Sequence, residues 1–170
     1  MGVGISSVVA RGVQDGFAPA FTGMEPVQIL CEGLVLESPF VLIGQELINA
    51  YAEMSGDKNP IHLDPQFARA CGLKGTIAQG ALVFSRATGL AHSFECFART
   101  GMRLREMNLK FKEPVYAGDE IRLRMQVARL QELRRGLIRV EAKATVLNQS
   151  GAVVQDQEWH GIYQSLPQGN

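Results

Sequence analysis

Cysteine is scarce in this sequence, and no stretch of it is both long and apolar. The three cysteines, Cys31, Cys71 and Cys96, lie far apart and form neither a CxxC pair nor a zinc-ligand spacing. We therefore expect free thiols in a reducing compartment and no metal site. No apolar run reaches the roughly 20 residues that span a bilayer, and the N-terminus lacks the apolar core of a secretory signal. These absences predict a cytoplasmic protein.

An excess of one charge is also absent. Lys plus Arg number 17 and Asp plus Glu number 17 among 170 residues, so no long-range field favours nucleic acid or an anionic membrane. A local basic group could meet a phosphate, although a solvated strand edge is the commoner explanation of such a group. Its members are Arg129, Arg134, Arg135 and Arg139. The ligand must therefore be sought in motifs rather than in net charge.

The length and the hydrophobic content of 46% suit one domain with a substantial core. Residues 1–33 are rich in glycine, contain Pro19 and Pro26, and show no sustained period. We expect them to form a flexible or loosely packed N-terminal arm. Residues 34–163 are expected to be the single domain, and residues 164–170 a C-terminal tail.

Three segments carry helical signals. Residues 47–54 have one apolar face, and Ser55-Gly56 ends that helix. Asp64 is a predicted N-cap for a second, short helix, which Gly72 ends. Residues 81–92 are apolar nearly all round, and a helix of that kind is expected to be buried.

Strand signals lie on both sides of these helices. Residues 34–43 form an apolar run that is broken near Ser38-Pro39. Apolar residues alternate with polar ones over 107–112, 121–127 and 138–146, with a turn around 117–119, and a turn at 148–151 leads into a further strand over 153–163. Alternation with one wet face is typical of antiparallel strands. We therefore predict an α+β fold in which a curved antiparallel sheet wraps around a buried central helix.

The residues best suited to chemistry lie between Asp57 and His62. Pro60 disfavours helical geometry at Asn59, so the chain should turn sharply there. Such a turn can bring His62 back toward Asp57, and an acid beside an imidazole is suited to moving a water proton near neutral pH. A simple Asx-turn, in which Asp57 caps the turn and His62 only donates to it, is the structural alternative.

The segment Gly56-Asp57-Lys58-Asn59-Pro60-Ile61-His62 resembles the Gly-Asp-x-Asn-Pro-x-His signature of the MaoC-like, (R)-specific enoyl-CoA hydratase and dehydratase family. Gly80, at the mouth of the predicted buried helix, matches that family's pattern. So does the strand and turn Phe111-Lys112-Glu113-Pro114-Val115-Tyr116-Ala117-Gly118-Asp119. One departure is Gln79, where the family usually has a histidine. Its amide can keep a hydrogen bond but cannot titrate.

The resemblance implies a hot dog fold and a homodimer or dimer of dimers, whose sheets join edge to edge. It also implies a tunnel at the subunit interface for a coenzyme A or carrier-protein thioester, and no metal or redox cofactor.

Residue roles are implied in the same way. Asp57 and His62 would activate the water that attacks Cβ, and Asn59 would brace their loop. The Gly80 N–H would bind the thioester oxygen, although a simple chain reversal also explains this glycine. Thr88 would support the dyad, unless its hydroxyl bonds to its own helix.

The function that follows is a hydro-lyase that adds water to, or removes it from, an α,β-unsaturated or 3-hydroxyacyl thioester. A thioesterase of the same fold and a non-catalytic module that binds acyl thioesters are the alternatives. The acid and the histidine favour the hydratase, because such thioesterases use a lone carboxylate and a binding module has no use for either group. Acyl chain length and the physiological direction stay open.

Overall fold

The computed structural model describes residues 30–98 and 101–164. Within them, six antiparallel strands form one sheet in the order β1-β4-β5-β6-β3, and β2 also pairs with β4. The strands are β1 (Val35–Glu37), β2 (Val41–Ile43), β3 (Arg103–Phe111), β4 (Asp119–Glu132), β5 (Leu137–Asn148) and β6 (Val153–Gln164).

Five α-helices accompany the sheet in the described part of the chain. They are α1 (Gln45–Ser55), α2 (Pro60–Leu63), α3 (Pro65–Ala70), α4 (Gly80–Ala91) and α5 (Glu95–Ala98). The predicted N-cap of α3 is confirmed, because the Asp64 carboxylate accepts from the amides of Gln66 at 2.7 Å and Phe67 at 3.2 Å. The helices α2 and α5 were not predicted.

The core lies between the concave face of the sheet and α4. Alternate residues of β4, from Ile121 to Val127, are fully buried there, and so are Val140 and Ala144 of β5. Period-two alternation puts these side chains on one face, where they pack against the helix. The predicted hot dog arrangement, a curved sheet around a central helix, is thus confirmed.

In the chain by itself, the central helix is buried on one side. The sheet-facing side of α4 is buried at Leu82 and Leu90, among others. The opposite side is exposed at Ala81, Ser85 and Gly89. A single curved sheet covers only one side of a helix, and the uncovered positions are small residues rather than large apolar ones.

The ends of the domain differ slightly from the prediction. Of the N-terminal arm, residues 1–29 lie outside the described residues, whereas 30–33 contact β4. The Gly33 amide donates to the Val127 carbonyl at 2.8 Å, and the Glu32 carboxylate accepts from the Leu130 amide at 2.8 Å. At the other end, Gln164 is the last residue of β6. Residues 165–170 lie outside the described residues.

None of the three cysteines forms a disulfide. Cys31 and Cys71 are free and exposed, and Cys96 is free and buried. In the described part of the chain, no helix is long and apolar enough to cross a membrane.

Candidate active site

The loop that carries Asp57 begins where α1 is forced to end. Gly56 adopts the left-handed conformation with φ of 79°, and its amide donates to the Ala52 carbonyl at 2.9 Å. Glycine adopts this conformation without the steric cost that a Cβ adds, so it terminates the helix. Asp57 is the next residue and lies in the loop that follows the helix. Its side chain is about half exposed, at 51%.

The short helix α2 places His62. Asn59 is its N-cap, with the side-chain oxygen accepting from the Ile61 amide at 3.2 Å, and Pro60 occupies the first helical position. The His62 amide then donates to the Asn59 carbonyl at 3.0 Å. Asn59 therefore caps the helix that carries His62, and its role in supporting the dyad stays a prediction.

The two side chains of the predicted dyad lie near each other. His62 Nε2 is 3.7 Å from Asp57 Oδ2. The other carboxylate oxygen, Oδ1, accepts from the Asn59 amide at 3.4 Å, which is the geometry of an Asx-turn. The functional and the structural explanations of Asp57 are therefore compatible, because each uses a different oxygen.

The tautomer of His62 follows from its second ring nitrogen. Nδ1 lies 2.7 Å from the Ile77 carbonyl oxygen. A carbonyl can only accept, so Nδ1 carries the proton and, in the neutral ring, Nε2 is a bare acceptor. Two acceptors 3.7 Å apart do not bond to each other, but both can accept from one water molecule.

The backbone of His62 is held by a pair of polar side chains that the sequence patterns did not reveal. Gln45, the first residue of α1, donates from Nε2 to the His62 carbonyl at 2.9 Å. The buried Thr76 hydroxyl donates to Gln45 Oε1 at 2.5 Å. These contacts span 17 and 31 residues along the chain. Only the folded chain brings them together.

Gly80 lies at the N-terminus of α4, as predicted. The first amide of a helix has no carbonyl one turn earlier to bond, and the helix dipole makes this end favourable for negative charge. The ring of Phe111 covers one side of the glycine. A Cβ built on Gly80 would lie 2.9 Å from Phe111 Cζ and 3.0 Å from Cδ1. A side chain there would force the ring to move.

Gln79, the departure from the family pattern, is buried at the N-cap of α4. Its Nε2 lies 3.3 Å from the Ile48 carbonyl oxygen and 3.4 Å from that of Asp57. The amide thus links the start of the central helix to α1 and to the Asp57 loop. Its Oε1 is buried and has no partner among the described residues.

His62 and Gly80 border the same cleft, which has a volume of about 310 Å³. Most of its walls are apolar, and Gln155 of β6 also faces it. The other lining residues are Ile77, Ala78, Val83, Phe111, Lys112, Glu113, Pro114, Val115 and Val154. An apolar cleft with a few polar groups at one point is typical of a small-molecule site.

The Thr88 hydroxyl forms a hydrogen bond within its own helix. It donates to the Ser85 carbonyl at 2.8 Å within α4, which is the intrahelical alternative noted from the sequence. Among the described residues, those that line the cleft do not include Thr88. A role in supporting the dyad stays a prediction.

Comparison with known proteins gives matches over most of the chain. Residues 26–149 match the family described as MaoC like domain. A mitochondrial 3-hydroxyacyl-(acyl-carrier-protein) dehydratase of Arabidopsis thaliana is 31% identical over 147 residues, which cover 86% of this chain and 86% of that protein. The (R)-specific enoyl-CoA hydratase of Aeromonas caviae is 35% identical over 89 residues, covering 52% of this chain and 65% of that protein.

Solved structures agree with this assignment. The (R)-hydratase of A. caviae involved in PHA biosynthesis superposes with a TM-score of 0.69 at 27% identity, covering 82% of this chain and 99% of that one. A MaoC-like dehydratase of Rhodospirillum rubrum superposes with a TM-score of 0.73 at 26% identity, covering 81% of this chain and 95% of that one. In sequence and in fold, the chain belongs to the MaoC-like dehydratase family.

Proposed function

We propose that this protein is a hydro-lyase that adds water to an α,β-unsaturated coenzyme A thioester and, in reverse, dehydrates the 3-hydroxyacyl thioester. One observation carries the proposal. In the neutral imidazole, Nε2 of His62 and Oδ2 of Asp57, 3.7 Å apart, form a two-acceptor site, and His62 lines an apolar cleft together with Gly80. The relatives named as hydratases and dehydratases support the same reaction class.

The two acceptors suit the activation of water. A water that donates one hydrogen to His62 Nε2 and the other to Asp57 Oδ2 keeps an oxygen lone pair free to attack Cβ. As the new C–O bond forms, the water gives up one proton to the dyad. The same pair then delivers a proton to Cα, so the product gains the elements of one water molecule. The half-exposed Asp57 gives water access to this site.

Attack at Cβ moves negative charge onto the thioester oxygen. The Gly80 N–H is suited to bind that oxygen, because a helix N-terminus offers an unpaired donor and glycine allows a carbonyl to approach closely. A donor fixed in advance stabilises the enolate more than the substrate, and this difference lowers the barrier. The base, the acid and the enolate donor together supply what hydration needs.

We also propose that the functional unit is a homodimer. The outer edge of β3 has no strand partner in the described part of the chain. The stripe formed by Ala81, Ser85 and Gly89 on α4 is also uncovered. A second copy could extend the sheet and cover that stripe. The cytoplasmic location and the absence of a metal or redox cofactor stay predictions.

The test is to incubate the protein with crotonyl-CoA and to follow the loss of the conjugated thioester absorbance. Asp57→Asn and His62→Gln should each lower kcat by about 10²- to 10⁴-fold, the range for losing a general acid or base. The matched controls are Asp156→Asn, on an exposed position of β6, and His92→Gln, on the exposed residue after α4. Both controls should keep the wild-type rate.

Three outcomes would contradict the proposal. If the wild type releases free thiol from crotonyl-CoA, the protein is a thioesterase. If it binds acyl-CoA without any reaction, it is a binding module. If hydration proceeds but either dyad variant keeps the wild-type rate, the assignment of the site is wrong.

A further inference from the structure

We propose that Gln155 is a positioning residue for the Gly80 peptide, and that Gln157 and Trp159 fix its orientation. The proposal rests on the function proposed above. The three residues occupy alternate positions of β6, and they are almost fully buried: Gln155 and Gln157 are each 1% exposed and Trp159 is 4% exposed. Period two places them on the inner face of the sheet, toward α4. Glutamine is costly in such a place unless its amide is fully hydrogen-bonded.

The three side chains form a continuous relay of short hydrogen bonds. Trp159 Nε1 donates to Gln157 Oε1 at 2.6 Å, and Gln157 Nε2 donates to Gln155 Oε1 at 2.7 Å. Gln155 Nε2 then donates to the Gly80 carbonyl at 2.8 Å. The relay therefore connects the middle of β6 to the first residue of the central helix.

The indole gives this relay a single direction. An indole N–H can only donate, so Gln157 must present its oxygen to Trp159 and its NH₂ to Gln155. Gln155 in turn must present its oxygen to Gln157 and its NH₂ to Gly80. Neither amide can flip without losing a buried hydrogen bond. The relay thus holds a donor toward the Gly80 carbonyl.

The end of the relay lies at the reacting centre. Gln155, Gly80 and His62 all line the cleft. A donor on the Gly80 carbonyl fixes the peptide between Gly80 and Ala81 at the start of α4, and so helps to hold the adjoining Gly80 N–H in place. A helix end that must meet a developing oxyanion needs placement to within about 0.5 Å. Gln155 supplies this without contact to the reacting atoms.

The side chains of the relay are polar, and packing alone does not require polar side chains at these positions. Replacing both partners of a buried hydrogen bond by apolar groups of the same shape can leave stability nearly unchanged. The Trp159 ring also packs edge-on against Phe84, with centroids 6.3 Å apart, and this contact does not require the indole N–H. If stability alone were served, apolar side chains would suffice at all three positions.

The test compares Gln155→Met, which keeps the length of the side chain but has no donor, with Tyr163→Phe. Tyr163 is also buried on the inner face of β6, and its hydroxyl donates to the Cys96 carbonyl at 3.1 Å. For each variant we would measure kcat and KM with crotonyl-CoA, the Kd for the unreactive butyryl-CoA, and the midpoint of thermal unfolding.

Gln155→Met should lower kcat by about tenfold, less than the ~10²-fold or greater loss of a direct oxyanion donor. The butyryl-CoA Kd should change by less than about threefold, because the relay acts mainly on charge that develops later. Trp159→Phe should lower kcat by a smaller factor, since it breaks the link furthest from Gly80. Tyr163→Phe should lower stability and keep kcat.

An active wild type whose Gln155→Met variant keeps kcat would overturn the relay alone. So would a Tyr163→Phe variant that loses as much kcat as Gln155→Met at equal loss of stability. A wild type that does not hydrate crotonyl-CoA would overturn the proposed function, and the role of the relay with it. The wild-type measurement tells these two failures apart.

Discussion

At the scale of single residues, the chemistry of His62 is set by its second nitrogen. Nδ1–H of His62 donates to the Ile77 carbonyl, and in the neutral ring this leaves Nε2 without a proton opposite Asp57. Gln45, which precedes His62 in the chain, donates to the His62 carbonyl and so holds its backbone in place. The imidazole is therefore fixed both in orientation and in tautomer before a substrate enters, which reduces the reorganisation needed for proton transfer.

Gly80→Ala tests whether the glycine serves the reaction or only makes room for Phe111. The new methyl would collide with the Phe111 ring, which is 64% exposed and can move aside. It would also narrow the approach of the thioester oxygen. We expect kcat with crotonyl-CoA to fall by at least about tenfold with only a small loss of stability.

The double variant Gly80→Ala/Phe111→Ala separates the two explanations. It removes the collision but keeps the methyl, so kcat should stay low. Phe111→Ala alone serves as the matched control. Restoration of the wild-type kcat in the double variant would show that the glycine is needed only for packing against the ring.

Cys96 should make stability depend on pH in alkaline solution. Burial raises the pKa of its thiol from 9.0 to about 11. The folded state therefore holds the proton through a range in which the unfolded state releases it. The thiol's contribution to stability is complete below the unfolded pKa and is lost as the pH rises through the folded one. The total change is roughly 3 kcal/mol.

This can be measured as the free energy of urea unfolding at about pH 8 and at about pH 10.5, for the wild type and Cys96→Ala. The wild type should lose more stability between the two conditions than the variant. Burial and, to a lesser degree, the charge of the Cys96 thiolate also raise the pKa of Tyr163, so Tyr163 adds an alkaline loss in both proteins that is larger in the wild type and has the same sign. An equal loss in the two proteins would rule out the proposed linkage.

Prediction from sequence succeeded for residues whose relative positions are determined by nearby residues in the chain. Asp57 and His62 lie five residues apart in a turn that Pro60 helps to set, so their proximity could be predicted and is confirmed. Gln155 lies 75 residues from Gly80, and no local pattern connects them. One signal was available, because alternation back from Trp159 places two glutamines at positions expected to face the core.

At the scale of elements, the active-site loop is formed by the end of α1 and the starts of the short helices α2 and α3. Gly56 terminates α1, Asn59 caps α2 and Asp64 caps α3. Helix caps are local interactions between neighbouring residues, so Asp64 could be predicted from sequence. The helix α2 was missed because its four residues are too few to show a helical period.

Asn59→Ala should weaken both the fold and the reaction. It removes the cap from the helix that carries His62, at a cost of about 1 kcal/mol in the free energy of unfolding, and should lower kcat by about tenfold. Asn59→Ser keeps a good capping group and should recover most of both. Urea unfolding and crotonyl-CoA kinetics on the same samples provide the measurements.

The control for this cap is Asp64→Ala. It removes the two hydrogen bonds that begin α3, a helix that carries none of the proposed site residues. It should cost a similar amount of stability and leave kcat near the wild-type value. A parallel loss of kcat in both alanine variants would mean that Asn59 acts only through stability.

At the scale of the whole molecule, a curved antiparallel sheet around a central helix could be predicted because each level of pattern agrees with it. Long alternating strands joined by tight turns form the antiparallel sheet, and the apolar segment that precedes them fills its hollow. The exposed stripe on α4 could not be predicted in the same way. Periodicity shows that a helix is apolar, but it does not show whether its own chain or a second copy covers each side.

The proposed homodimer makes a prediction about that stripe. By light scattering, the wild type should have the mass of two chains. Gly89→Arg, which adds a charged side chain to the exposed face of α4, should shift it toward one chain. Ala50→Arg, on an exposed position of α1, should leave the mass unchanged. A wild type that is monomeric at the concentration of the activity assay would contradict the dimer as the functional unit.

The central claim is that Asp57 and His62 direct one water molecule to Cβ of an acyl thioester. The most direct test is to react crotonyl-CoA in water labelled with the heavy oxygen isotope and to locate the label by mass spectrometry. The account predicts labelled 3-hydroxybutyryl-CoA with its thioester intact and the heavy oxygen in the 3-hydroxyl group. This product should be nearly absent with Asp57→Asn and His62→Gln. Heavy oxygen in a free carboxylate, together with released coenzyme A, would contradict the account.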